Sequence, residues 1–227
     1  MKNKENYYIH NYGKLRVGGG VEMIRDLFES IKEIENKYTE GELAYISLTG
    51  KNESFIRDNL AFILMSKNKE NGFSRERGRM DIVQFLSYKD FPKAKNIIEL
   101  TSLYTTDLLN RDLFSKNYKA KIKKDFSKNK KYASVETKTY NIIIATHLNG
   151  EIINKYKDIV KYSRGLNKWR FQCDEENYKQ ALINRCNQTI EEEIMEPGIT
   201  KYHTCIDAGE AFGIAVDIHF WILEKSC

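Results

Sequence analysis

Residues 140–145 (YNIIIA) are a continuous apolar run dominated by β-branched isoleucine. Such a run suits a strand that is covered on both faces, at the centre of a sheet with a layer on either side. At 227 residues the chain is long enough to build those layers in one large domain with additions. Ahead of the run, residues 21–34 and 51–67 show helical periodicity, and 80–85 (MDIVQF) and 96–101 (NIIELT) are short strand-like runs. Residues 102–115 again read as helix, as do 151–163 and 175–194. Residues 212–223 (FGIAVDIHFWIL) read as a final strand. Residues 43–48 are a short strand or an extended connector, and residues 1–17 an arm or an edge strand. This order predicts an α/β fold with a mixed central β-sheet flanked by helices. It divides into an N-terminal arm and helix (1–50), a core (51–146) and C-terminal helices with the final strand (147–227), packed on the same domain.

The strand-like runs at 80–85 and 96–101 each carry one carboxylate, Asp81 at the start of the first and Glu99 inside the second. A carboxylate inside an IIEL run is costly to bury unless it is paired or bound to a cation. The connector between the runs holds Lys, Asp, Pro and Ala and suits a hairpin, which would put the two carboxylates on adjacent strands. Two convergent carboxylates can share a divalent cation such as Mg²⁺, which fills its other positions with water and phosphate oxygens. The plainer alternative is a solvated Asp81 and a Glu99 paired with Arg or Lys.

This arrangement resembles the PD-(D/E)XK nuclease family, the restriction-endonuclease-like fold. There an Asp on one strand is followed by (D/E)-x-K on the next, and the three side chains form a metal-dependent phosphodiesterase site. Asp81 matches the first acid, and Glu99-Leu100-Thr101 falls on the second motif, 18 residues on. Thr101 stands where the family has lysine, so Lys121 and Lys124 are the nearest substitutes for it. The resemblance implies a Mg²⁺-dependent DNA endonuclease of restriction type, with Mn²⁺ as an alternative ion. Asp81, Glu99 and Thr101 would form the catalytic set. Asp81, Glu99, the Leu100 carbonyl and Glu53, on the helix before the first motif strand, would form the metal set. The alternative is an inactive nuclease fold acting as a DNA-binding or assembly subunit. For Glu53, an exposed ion pair with Arg57 four residues on is the plainer reading. A K-x-D-x-x-K pattern at 123–128 also matches a helix common after the motif strand in that family.

Charge points to the same partner. The segment 116–131 (KNYKAKIKKDFSKNKK) carries eight lysines and one aspartate, a net of +7 against +5 for the whole chain, which leaves −2 elsewhere. A concentrated basic element on a near-neutral body suits contact with a phosphate backbone, though a solvated helix face would look the same. Lys121, Lys124 and Lys128 are the DNA-contact residues expected there, joined by Arg75 and Arg77 in a basic loop at 72–78 and by Arg79 directly after it. DNA is thus the expected partner, a homodimer is an admissible assembly, and no membrane is involved. No run reaches transmembrane length and residues 1–12 contain no apolar leader, so a cytoplasmic location is expected. Cys173, Cys186, Cys205 and Cys227 are widely spaced without a CxxC pair, which argues for reduced thiols and against zinc. Asp217 and His219 share a strand face, and His147 follows the central strand in what reads as a loop.

Overall fold

The structure is a computed structural model that describes residues 19–68, 72–85, 93–127, 133–134, 136–168 and 178–226. Six strands form one mixed sheet in the order β1-β2-β3-β4-β6-β5. They span Gly72–Arg77 (β1), Met80–Phe85 (β2), Ala94–Tyr104 (β3), Lys138–Leu148 (β4), Ile199–Ala211 (β5) and Ile214–Ser226 (β6). Every adjacent pair is antiparallel except β3 and β4, which are parallel. The YNIIIA run is indeed central, since β4 lies between β3 and β6 and its residues 139–147 are all buried.

Alternation along the strands feeds two cores. On one face Ile82, Ile98, Leu100, Ile142, Ile144, Ile218 and Phe220 pack against three N-terminal helices. These are α1 (Gly19–Lys37), α2 (Glu42–Thr49) and α3 (Glu53–Lys67), which bury Leu27, Ile31, Leu43, Leu48, Ile56 and Leu60. On the other face Leu103, Ile143, Ala145, Trp221 and Leu223 meet Phe114, Ile122, Leu182 and Ile190. Those come from α5 (Arg111–Phe114), α6 (Ala120–Asp125) and α8 (Tyr178–Glu193). Short α4 (Thr105–Leu109) leads directly out of β3, and α7 (Ser163–Lys168) precedes α8. The fold is therefore α/β with helices on both sides of a mixed sheet.

Several local expectations change. Residues 43–48 are the middle of α2 rather than a strand: one side of LAYISL is buried and Tyr45 is 53% exposed. The basic loop at 72–78 is β1, joined to β2 by a two-residue turn. Gly78 and Arg79 there both have positive φ, 61° and 69°, which is the twist a two-residue hairpin needs. Residues 102–104 belong to β3, and the helical stretch begins at Thr105. In place of a helix over 151–163 there is a 3₁₀ turn at Asn154–Tyr156, and Ser163 opens α7. Strand β5 is not foreshadowed by any pattern in the sequence. It is an edge strand whose residues are mostly half-exposed, so no apolar alternation marks it. Strands β5 and β6 belong to the same sheet as the 51–146 segment. Lys128, Trp169, Phe171, Cys173 and Cys227 lie outside the described residues.

Candidate active site at the free edge of β3

Strand β3 runs past the end of β2. The β2–β3 ladder pairs Ile82 with Ile98 and Val83 with Ile97, so continuing the register places Asp81 opposite Glu99 on the same face. Beyond that point β3 keeps a neighbour only in β4, where Glu99 pairs with Asn141 and Thr101 with Ile143. The opposite edge of residues 100–102 therefore presents main-chain groups to side chains instead of to a strand.

Three charged side chains meet that edge. Asp81 Oδ2 accepts a hydrogen bond from the Leu100 N–H at 2.8 Å. Glu53 Oε2 accepts one from the Ser102 N–H at 2.8 Å. Lys121 Nζ donates to the Leu100 carbonyl oxygen at 3.2 Å and lies 3.6 Å from Glu53 Oε2. One cation and two anions, from three different elements, thus converge on two residues of β3.

Each is brought there by its own element. Glu53 opens α3, directly after Asn52, which the sequence marks as a helix cap. Asn52 makes no capping bond with its side chain. Its amide instead donates to Ser47 Oγ and Thr146 Oγ1, and its oxygen accepts from Ser102 Oγ at 2.7 Å. The start of α3 is thereby latched to β3 and β4, and Glu53 is set over the strand edge. The expected Glu53–Arg57 pair does not form. Arg57 binds Asp58 and Glu76, and those carboxylates with Asp81 hold it charged although burial alone would lower its pKa. Lys121 comes from α6, reached through a π turn at Ser115–Lys119 in a helical path from Arg111 to Asp125. Such single π turns recur at functional sites. Arg111 and Lys119 both bind buried Glu193 of α8, at 2.5 and 2.8 Å, and Lys123 binds Glu196 at 2.7 Å. The bonds to Glu193, Lys119 first, hold its carboxyl down at about 2.

Glu99 and Thr101 sit one layer deeper, 2% and 1% exposed, on the face covered by α6. Among the described residues Thr101 Oγ1 has no hydrogen-bond partner, and neither do the amide nitrogen and oxygen of Asn141, the residue beside Glu99 on β4. Buried polar atoms are nearly always satisfied, so these atoms, grouped beside a buried carboxylate, set this patch apart from plain apolar core. An Asn inside an isoleucine run was the available sequence signal for Asn141.

The donor set suits a hard cation: carboxylates of Glu53, Asp81 and Glu99 and the Leu100 carbonyl are all oxygen ligands. They are not drawn tightly together. Among the described residues, the group of three His, Cys, Asp or Glu donors within 4.8 Å of one another lies elsewhere, on β5 and β6. The physical reason is plain, since Asp81 and Glu53 are held apart on separate N–H groups and Lys121 supplies the compensating charge.

The remaining expected residues are dispersed. Arg75 is exposed and paired with Asp58, Arg77 lies over the Phe85 ring at 5.1 Å, and Arg79 is exposed in the β1–β2 turn. Lys124 is exposed on α6. Thr101 is buried beside Glu99 on the same face of β3. His147 is not a loop residue: it ends the buried part of β4, bonded to Thr105 Oγ1 at 2.8 Å and to the Tyr178 hydroxyl at 3.0 Å. No helix among the described residues is long and apolar enough to cross a membrane. No family model, curated protein or solved structure matches the chain.

Proposed function

We propose that the protein is a Mg²⁺-dependent DNA endonuclease with a PD-(D/E)XK-like, restriction-endonuclease-like core, in which Lys121 stands in for the lysine missing at position 101. The observation that carries this reading is Lys121 Nζ at 3.2 Å from the Leu100 oxygen and 3.6 Å from Glu53 Oε2. It supplies a cation from a helix to the strand edge where the motif would otherwise supply it from within β3.

Asp81, Glu99, the Leu100 carbonyl and Glu53 would hold the metal. When bound, a divalent cation lowers the pKa of water and offsets charge on a phosphate undergoing in-line attack. The chain's own groups do the rest. Glu53 and Asp81 are each fixed on a main-chain N–H group of β3 through one carboxylate oxygen. Lys121, 45% exposed at its side chain, can orient the attacking water and steady the extra phosphate charge as it develops. The exposed lysines of α6 and its π turn lie in the same stretch of chain and offer contact to the nucleic-acid backbone.

The test is cleavage of supercoiled plasmid with Mg²⁺ or Mn²⁺. The wild-type protein should nick or linearise the plasmid, and Asp81→Ala and Glu99→Gln should each abolish cutting while leaving DNA binding measurable. Binding without cutting in either metal would instead favour a non-catalytic DNA-binding subunit of the same fold.

A further inference from the structure

A second cluster lies on the same face of the sheet as Glu99 but toward the other edge, on β5 and β6. The β5–β6 ladder places Cys205 directly across from His219 and Asp207 across from Asp217. Cys205 Sγ, a His219 ring nitrogen and an Asp217 carboxylate oxygen all lie within 4.8 Å of one another. Cys205 is half-buried, and Asp217 and His219 are 8% and 4% exposed. These residues are on the face shared with Trp221, beneath the start of α8.

The geometry points to a zinc site with Cys205, His219 and Asp217 as its three protein ligands and solvent at the fourth position. Zinc takes thiolate sulfur at about 2.3 Å and imidazole nitrogen at about 2.0–2.1 Å, so it can bridge two donors about 4 Å apart. Cys205 Sγ and His219 Nε2 are separated by 4.0 Å. The surroundings are those of a ligand set held in place from behind. His219 Nδ1 meets His203 Nε2 at 3.2 Å, which leaves Nε2 as the nitrogen facing the sulfur. Asp217 Oδ2 accepts from Asn149 at 2.9 Å and pairs with Lys179 at 3.3 Å. A thiolate, an imidazole and a carboxylate suit zinc far better than Mg²⁺, and three protein ligands leave a coordination position open.

The competing use of Cys beside His is a nucleophilic dyad, and the surroundings oppose it. The group on His219 Nδ1 is another imidazole rather than an orienting carboxylate. Cysteine spacing along the chain gives no hint of this, because the cluster forms by pairing across a hairpin.

The site is independent of the proposed nuclease centre, and so is its test. Protein stripped with a chelator is titrated with Co²⁺, which reports thiolate ligation by a sulfur-to-metal charge-transfer band. We expect one equivalent of Co²⁺ per chain with that band, displaced by Zn²⁺ and released by acid. Cys205→Ser should lose the band, and Cys186→Ser, a buried thiol of α8 outside the ligand cluster, should keep it. Asp217→Asn should weaken Co²⁺ binding at least tenfold while keeping the far-UV spectrum of the wild type. It decides the matter if Cys205→Ser does not fold. Asp81→Ala should leave the band untouched. No charge-transfer band, a band that survives in Cys205→Ser, or unchanged affinity in Asp217→Asn would overturn the zinc site, whatever the plasmid assay shows.

Discussion

Thr101 occupies the motif lysine's position on β3, two residues after Glu99 and on the same face, with only 1% of it exposed. Its hydroxyl is buried without a partner among the described residues, and its neighbour across the ladder is Ile143. A lysine there would have to fit its stem into the core beneath α6, and overpacking of that kind costs about 1–3 kcal/mol before the charge is counted. Thr101→Lys should therefore lower the melting temperature without raising plasmid cleavage. Thr101→Val removes the orphan hydroxyl at nearly constant volume. It should leave cleavage unchanged and leave stability within about 1 kcal/mol of wild type, on the stable side if either. A large loss of cleavage in a folded Thr101→Val protein would restore a catalytic role to the hydroxyl.

At the level of elements, Lys121 depends on how α5 and α6 are held. Glu193 of α8 grips Arg111 before the π turn and Lys119 within it. Because its folded pKa is depressed to about 2, its contribution is present above the ordinary carboxylate value, about 4.5, and fades as pH falls toward 2. Glu193→Gln should thus destabilise the protein at neutral pH and make little difference near pH 2, measured by urea unfolding across that range. Equal destabilisation at both ends would mean that packing, not charge, holds the helix. The strands that build the site were legible because MDIVQF and NIIELT are apolar runs with one carboxylate each, and so was the shared face of Asp81 and Glu99. Two things were not. Strand β5 alternates between half-exposed residues and carries no periodic signal. The reach of Lys121 to Leu100 depends on the packing of α6 against the sheet, which local pattern marks only as one of two nearby lysines.

For the whole molecule, the +7 segment is less available than its composition implies. Lys119 and Lys123 are bound to Glu193 and Glu196, and Lys121 is turned to the β3 edge. Lys116 and Lys124 are exposed, with no acidic partner among the described residues, and Arg79 projects from the β1–β2 turn. Changing Lys116, Lys124 and Arg79 together to Gln should flatten the dependence of log K on log salt for DNA binding by about 2–3, near 0.9 for each phosphate no longer neutralised. An unchanged slope would place the DNA on another surface. Lys121 is the residue on which the proposed chemistry depends. Its most direct test is the single-turnover rate of Mg²⁺-dependent plasmid cleavage by Lys121→Ala beside Lys124→Ala, with both proteins shown to be folded. Loss of a positioned acid–base group typically costs about 10²–10⁴ in rate. Lys121→Ala should fall by at least about a hundredfold while Lys124→Ala stays within a few-fold of wild type. Cleavage by Lys121→Ala at the wild-type rate, in a protein that Asp81→Ala inactivates, would contradict it.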